Sequence, residues 1–126
     1  FVKTMLNLFA TKEELSIVAD QFGQPTNAND LAEAIMKIIK SEKITPGIFN
    51  FSNLGRISWF DFAEKIAELS EAKIKLNAIE TSQYPTPAKR PKNSVLDLDK
   101  ISKTYAIQLK PWEESLEDCV QILQNN

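Results

Sequence analysis

The sequence predicts a small α/β domain in which helices carry the core and short strands support two long loops. Segments with apolar residues at helical spacing alternate with short runs that alternate polar and apolar residues, and turn-forming residues stand between them. At 126 residues and 43% hydrophobic content the chain is long enough for one core, burying roughly two thirds of its unfolded surface. No repeat, low-complexity tract or internal linker divides it, so residues 1–126 are read as a single domain.

Phe1, Met5, Leu6 and Phe9 recur at helical spacing, and the chain therefore opens on an amphipathic helix. No capping residue precedes that helix, which fits a chain cut from something longer. Leu15 to Val18 reads as a short strand ending at a loop from Asp20 to Thr26. Asn29 or Asn27 caps a helix from about Asp30 to Lys40, with Leu31, Ala34, Ile35, Ile38 and Ile39 as its expected buried stripe. Pro46-Gly47 turns the chain into Ile48-Phe49-Asn50-Phe51, whose alternation predicts a strand.

Ser58 caps the next helix, from Trp59 to about Ser70, with Trp59, Phe62, Ala63, Ile66 and Leu69 on its apolar face. Lys73 to Leu76 alternates and predicts a third strand. After a proline-rich loop, Ser94 to Leu96 is a short extended step, and Asp97 or Asp99 caps a brief helix ending near Tyr105. Pro111 occupies the first turn of a closing helix that runs to about Leu123.

Composition excludes several classes of function. A net charge of -2 argues against a nucleic-acid or anionic-membrane surface, so any anion site must be local. There is no basic leader and no long apolar run, hence no expected membrane span. Cys119 is the single cysteine, which rules out an internal disulfide and suits a reducing cytoplasm. The chain contains no histidine, so Cys-His catalysis and a structural zinc are not expected within it.

The run Tyr84-Pro-Thr-Pro-Ala-Lys-Arg-Pro-Lys-Asn-Ser-Val-Leu-Asp97 concentrates the chemistry. Proline biases the residue before it towards extended geometry, so Thr86 and Arg90 are held open. Arg90 then offers a planar fork suited to phosphate, Lys89 a point charge beside it, and Asn93 a neutral donor-acceptor. An isolated cation pair is more often solvated, and Asn93 and Ser94 equally suit bonds to their own backbone. Tyr84 either stacks on a ligand or packs against its prolines. A second wall is expected at Asp20, Gln21 and Thr26, where the Gln21 amide can discriminate hydroxyls or a base edge and Asp20 either meets hydroxyls or caps the turn. Trp59 and Trp112 invite a sugar-stacking reading, but each stands at a helix start on the apolar face, so core packing is the favoured one. Glu113, Glu114, Glu117 and Asp118 complement the dipole of the closing helix.

The same run resembles the C-terminal signature of the dTDP-4-dehydrorhamnose reductase family, which are extended short-chain dehydrogenase/reductases. Asp20-Gln21-Phe22-Gly23-Gln24-Pro25-Thr26, followed by Asp30-Leu31-Ala32, is similar to the family's Asp-Gln-x-Gly-x-Pro-Thr element, and Ser58-Trp59-Phe60-Asp61-Phe62-Ala63 resembles its Ser-Trp-Tyr-Glu-Phe-Ala helix start. The three segments stand in family order. Only Gly23, Gly47 and Gly55 are present, none close enough to form the Gly-rich cofactor turn, and no Tyr-x-x-x-Lys occurs.

The resemblance therefore implies the C-terminal substrate-binding part alone, with the Rossmann half absent. It implies a dTDP-sugar as ligand, Arg90 on the diphosphate, and NADPH or NADH bound by an N-terminal domain outside this chain. Some family members bridge a dimer through acidic residues and magnesium; Ile122 stands where one such acid would be, so that site is not carried over, and a homodimer stays open. A non-catalytic reductase-like subunit and a related epimerase are the alternative readings.

Overall fold

A computed structural model of the chain describes residues 1–125. In chain order the elements are α1 (Val2–Phe9), β1 (Glu14–Val18), β2 (Phe22–Gly23), α2 (Ala28–Ile39), β3 (Ile57–Ser58), α3 (Trp59–Leu69), β4 (Lys75–Ile79), a 3-10 turn (Thr81–Gln83), α4 (Asp99–Tyr105) and α5 (Trp112–Gln124). β1 and β4 pair in parallel, in register from Glu14 with Lys75 to Val18 with Ile79. β2 and β3 pair antiparallel, Phe22 with Ser58 and Gly23 with Ile57.

Two apolar clusters hold these elements. Met5, Ile17, Phe62, Ala63, Ile66, Trp112, Leu116 and Val120 join α1, β1, α3 and α5. Ala34, Ile101 and Ile107 join α2 to α4, with Phe49, Phe51 and Tyr105 packed against them. Fully burying a large apolar side chain stabilises by about 1.5–3 kcal/mol, so the first cluster, with more such side chains, contributes more to stability than the second.

α3 begins where the sequence places it. Ser58 accepts from the Asp61 amide and the Asp61 carboxylate accepts from the Ser58 amide, a reciprocal cap. α5 likewise follows Pro111, which serves as its N-cap. α2 is capped by Asn27, whose side chain accepts from the Asn29 amide, and starts two residues before the expected Asp30. α4 has no side-chain cap at Leu98, although Asp97 accepts from the Asp99 amide at 2.9 Å.

Three expectations are corrected. Ile48–Phe51 is not a strand, because among the described residues its backbone makes no ladder hydrogen bond. The strand expected at Lys73 to Leu76 is displaced to Lys75–Ile79, where its register on β1 decides its bounds. The α2 stripe is not buried as a whole: Ala34 is, but Leu31, Ile35 and Ile39 face outward, Ile39 at 60% exposure. The pair β2–β3 carries no sequence signal, since two residues per strand are too few for a period to show.

Candidate functional site

β2 organises the site. The Phe22 amide donates to the Lys92 carbonyl at 2.9 Å and the Ser94 amide donates to the Phe22 carbonyl at 2.9 Å, while β3 pairs on the other edge. The proline-rich loop is thereby stitched to β2 at Asn93. The Leu96 amide adds a bond to the Gln24 side-chain oxygen at 2.8 Å. Gly23 serves this close approach: a β-carbon there would stand 2.8 Å from the Ser94 hydroxyl.

A cavity of about 300 Å³ opens between these segments. Gln21 to Pro25 form one wall, Ile57, Ser58, Trp59 and Phe62 another, and Arg90, Pro91 and Ser94 the third. One wall is thus polar and cationic and another is aromatic. Arg56 lies just outside, its guanidinium carbon 3.7 Å from the centroid of the Phe22 ring.

The fold brings together Arg90 and Gln21, which are far apart in sequence. Gln21 is 8% exposed, and its amide nitrogen donates to the Thr81 hydroxyl at 3.1 Å. Asp20 turns away from the cavity to the 3-10 turn, accepting from the Thr81 amide at 2.8 Å and hydroxyl at 2.6 Å. Those bonds from Thr81 hold its carboxyl below the ordinary value. Lys89, Asn93, Thr26 and Tyr84 are exposed and do not line the cavity; Asn93 is engaged through its backbone bridge to Phe22, and Tyr84 is 58% exposed.

Two sets of residues at the site go beyond what the sequence favoured. Trp59, expected in the core, is 40% exposed on the cavity wall, whereas Trp112 is buried as expected. Helical spacing puts both on apolar faces and cannot say that one face ends at a cavity. The second set is a buried polar network behind the Gln24-Pro25 wall. Asn53 donates through its amide to the Pro25 carbonyl at 3.1 Å, accepts from the Asn27 amide at 2.8 Å, and donates from its side chain to Asp30 and Ser115 at 2.6 and 2.8 Å. Ser115 also donates to Asp30, and Lys110 stands 3.4 Å from that carboxylate. Burial opposes ionisation of Asp30, but the Ser115 and Asn53 bonds and the Lys110 ammonium outweigh it and hold its carboxyl below the ordinary range. Three segments meet at this network, residues 25–30, Asn53 and residues 110–115, and its members form no sequence motif.

Helices supporting loops around such a cavity define the substrate-binding domain of an extended short-chain dehydrogenase/reductase. The same arrangement occurs in UDP-glucuronic acid 4-epimerase from Bacillus cereus, with a TM-score of 0.69 over 97% of this chain and 38% of that one, at 19% identity, a likeness of fold alone. The chain belongs to the RmlD substrate binding domain family, whose pattern matches residues 1–125. It is 44% identical to a dTDP-4-dehydrorhamnose reductase of Sinorhizobium fredii, over 91% of this chain and 42% of that protein. The corresponding enzyme of Escherichia coli K12 is 38% identical, over 90% of this chain and 41% of its own length. A crystal structure of a dTDP-4-dehydrorhamnose reductase from Clostridium acetobutylicum superposes with a TM-score of 0.90 at 39% identity, covering 98% of this chain and 44% of that one. One from Bacillus anthracis in complex with NADP superposes with a TM-score of 0.83 at 38% identity, covering 92% and 40%. The chain spans less than half the length of these relatives.

Proposed function

We propose that this chain is the nucleotide-sugar-binding portion of a dTDP-4-dehydrorhamnose reductase, which reduces the C4 ketone of dTDP-4-dehydro-L-rhamnose to dTDP-L-rhamnose with NADPH or NADH. The observation that carries this reading is the convergence of Arg90 and Gln21 on one cavity in a chain of this family. Arg90 meets the diphosphate with a charge-assisted bond, and Gln21 meets a neutral edge of the sugar or nucleoside. Lys89 adds attraction from the rim, screened by salt over about 8 Å. Thr26, Asn93 and Tyr84 stand on the same loops outside the cavity lining and flank the ligand from its rim. The domain's contribution is positioning, which converts remote binding energy into rate.

The residues of this chain do not fit the nicotinamide cofactor: Gly23, Gly47 and Gly55 are too far apart to form a pyrophosphate turn, and no Tyr-x-x-x-Lys is present. Cofactor binding and proton transfer are therefore assigned to an N-terminal Rossmann part of the same protein. The outward face of α2 supports that partner. Leu31, Ile35, Met36 and Ile39 are exposed on a helix whose other side already packs on the core, and a helix apolar on both sides is normally covered on both. Further along the chain Ile48 is 85% exposed on a segment that belongs to no ladder. Among the described residues no helix is long and apolar enough to cross a membrane. A cytoplasmic enzyme, with a homodimer open, is the setting proposed.

The full protein should oxidise NADPH or NADH when given dTDP-4-dehydro-L-rhamnose, and the 126-residue chain by itself should not. Turnover by the isolated chain would overturn this division of labour. Tight dTDP-sugar binding by the full protein without turnover would favour a non-catalytic subunit.

A further inference from the structure

On the apolar face of α3, Phe62, Ala63 and Ile66 are at most 9% exposed, yet Trp59 on the same face is 40% exposed. The exposed indole lines the cavity that also holds Arg90. It is held at its base by the Ser58–Asp61 cap, which sets the first turn of α3. The Phe1 ring packs beside it, 5.0 Å away between centroids and tilted by 42°, and is itself stacked on Phe62 at 5.4 Å. The indole is thus braced by aromatic neighbours and left open towards the cavity. Such an arrangement suits a flat ligand group, because its cost in side-chain ordering has already been met within the fold.

We propose that Trp59 is the stacking platform for the nucleobase, so that the cavity holds the nucleoside at Trp59 and the diphosphate at Arg90. This rests on the nucleotide-sugar reading above and deepens it. The reason to prefer the base over the sugar is the direction of the chemistry. The reacting carbon belongs to the sugar and must reach groups outside this chain, so the part held deepest against its own aromatic wall is the end remote from that carbon. A cavity of about 300 Å³ fits part of a nucleotide sugar, in keeping with a ligand shared between two portions of the protein.

The test uses the full protein with dTDP, dTDP-rhamnose and inorganic pyrophosphate as titrants. Loss of one base-stacking contact is worth about tenfold or more in affinity. Trp59→Leu should weaken dTDP and dTDP-rhamnose by the same factor of about ten while pyrophosphate binding stays within about twofold. Trp59→Phe should recover most of the loss. In the wild type, dTDP should quench tryptophan emission, and Trp59→Phe should abolish the quench while Trp112 still emits. If only dTDP-rhamnose weakens, Trp59 holds the sugar and the proposal fails. Unchanged affinities, or an equal loss for all three titrants with a lowered Tm, make Trp59 a structural wall and also overturn it. A wild-type protein that does not bind dTDP at all would remove the proposed function itself, and this inference with it.

Discussion

Arg90 differs from the other cations of the chain in where its backbone is anchored. Phe22 bonds the segment two residues downstream on both sides of Asn93, so Arg90 is presented to the cavity by a short tether. Lys89, one residue earlier, stands on the same loop but does not line the cavity. In the full protein, Arg90→Ala should therefore weaken dTDP-sugar binding by about 1.5–3 kcal/mol, the range for a hydrogen bond to a charged group. Cofactor affinity should stay nearly constant. Calorimetry that found the reverse, cofactor weakened and nucleotide sugar held, would assign Arg90 to the other ligand.

At the scale of elements, the joint between the Asn53–Gly55 segment and α5 is the most exacting in the fold. The Leu54 amide donates to the Lys110 carbonyl at 2.8 Å and the Trp112 amide donates to the Leu54 carbonyl at 2.9 Å, which brings the Trp112 indole onto the backbone of Gly55. Gly55 has φ of +119°, and a β-carbon there would overlap the indole. Both features need glycine. Gly55→Ala should destabilise by about 1–3 kcal/mol, since strained backbone and displaced packing act together. Urea unfolding reads this as a lower midpoint with unchanged slope, and an unshifted midpoint would mean that Trp112 can move aside at no cost. α2 shows the opposite case. Its N-terminus is tied down by Asn27 and Asp30, while Leu31, Ile35, Met36 and Ile39 along its outward face are exposed.

For the whole molecule, acid stability follows from the same tie. Asp30 has a folded-state pKa below its ordinary 3.8, so it contributes stability that is fully present above that value. This contribution is lost as pH falls through the lower folded-state value. Asp20, held by Thr81, acts in the same sense. The Tm of the protein should therefore decline as pH drops below about 4, and Asp30→Asn, less stable at neutral pH, should decline less steeply. An acid limb equally steep in the variant would show that Asp30 does not link the three segments electrostatically.

The sequence by itself determined the elements whose cause is local. Ser58 and Asp61 start α3, Pro111 precedes α5, and apolar spacing marks α1 and α3, because caps and helical periods act within a few residues. Proline placement and donor chemistry singled out the Asp20 to Thr26 and Tyr84 to Asp97 segments, and the fold brings residues of both to one cavity, although the first also carries the unexpected β2. What only the tertiary structure decided is non-local. Ile48–Phe51 alternates like a strand, but a strand exists only where another backbone completes its ladder. Trp59 and Trp112 share a sequence pattern, and their different burial follows from which neighbour lies across each: a cavity for one and Gly55 for the other. The Asn53–Asp30–Ser115 network has no motif because its members meet across three segments, and hydrogen bonds of that kind are chosen by packing, not by spacing along the chain.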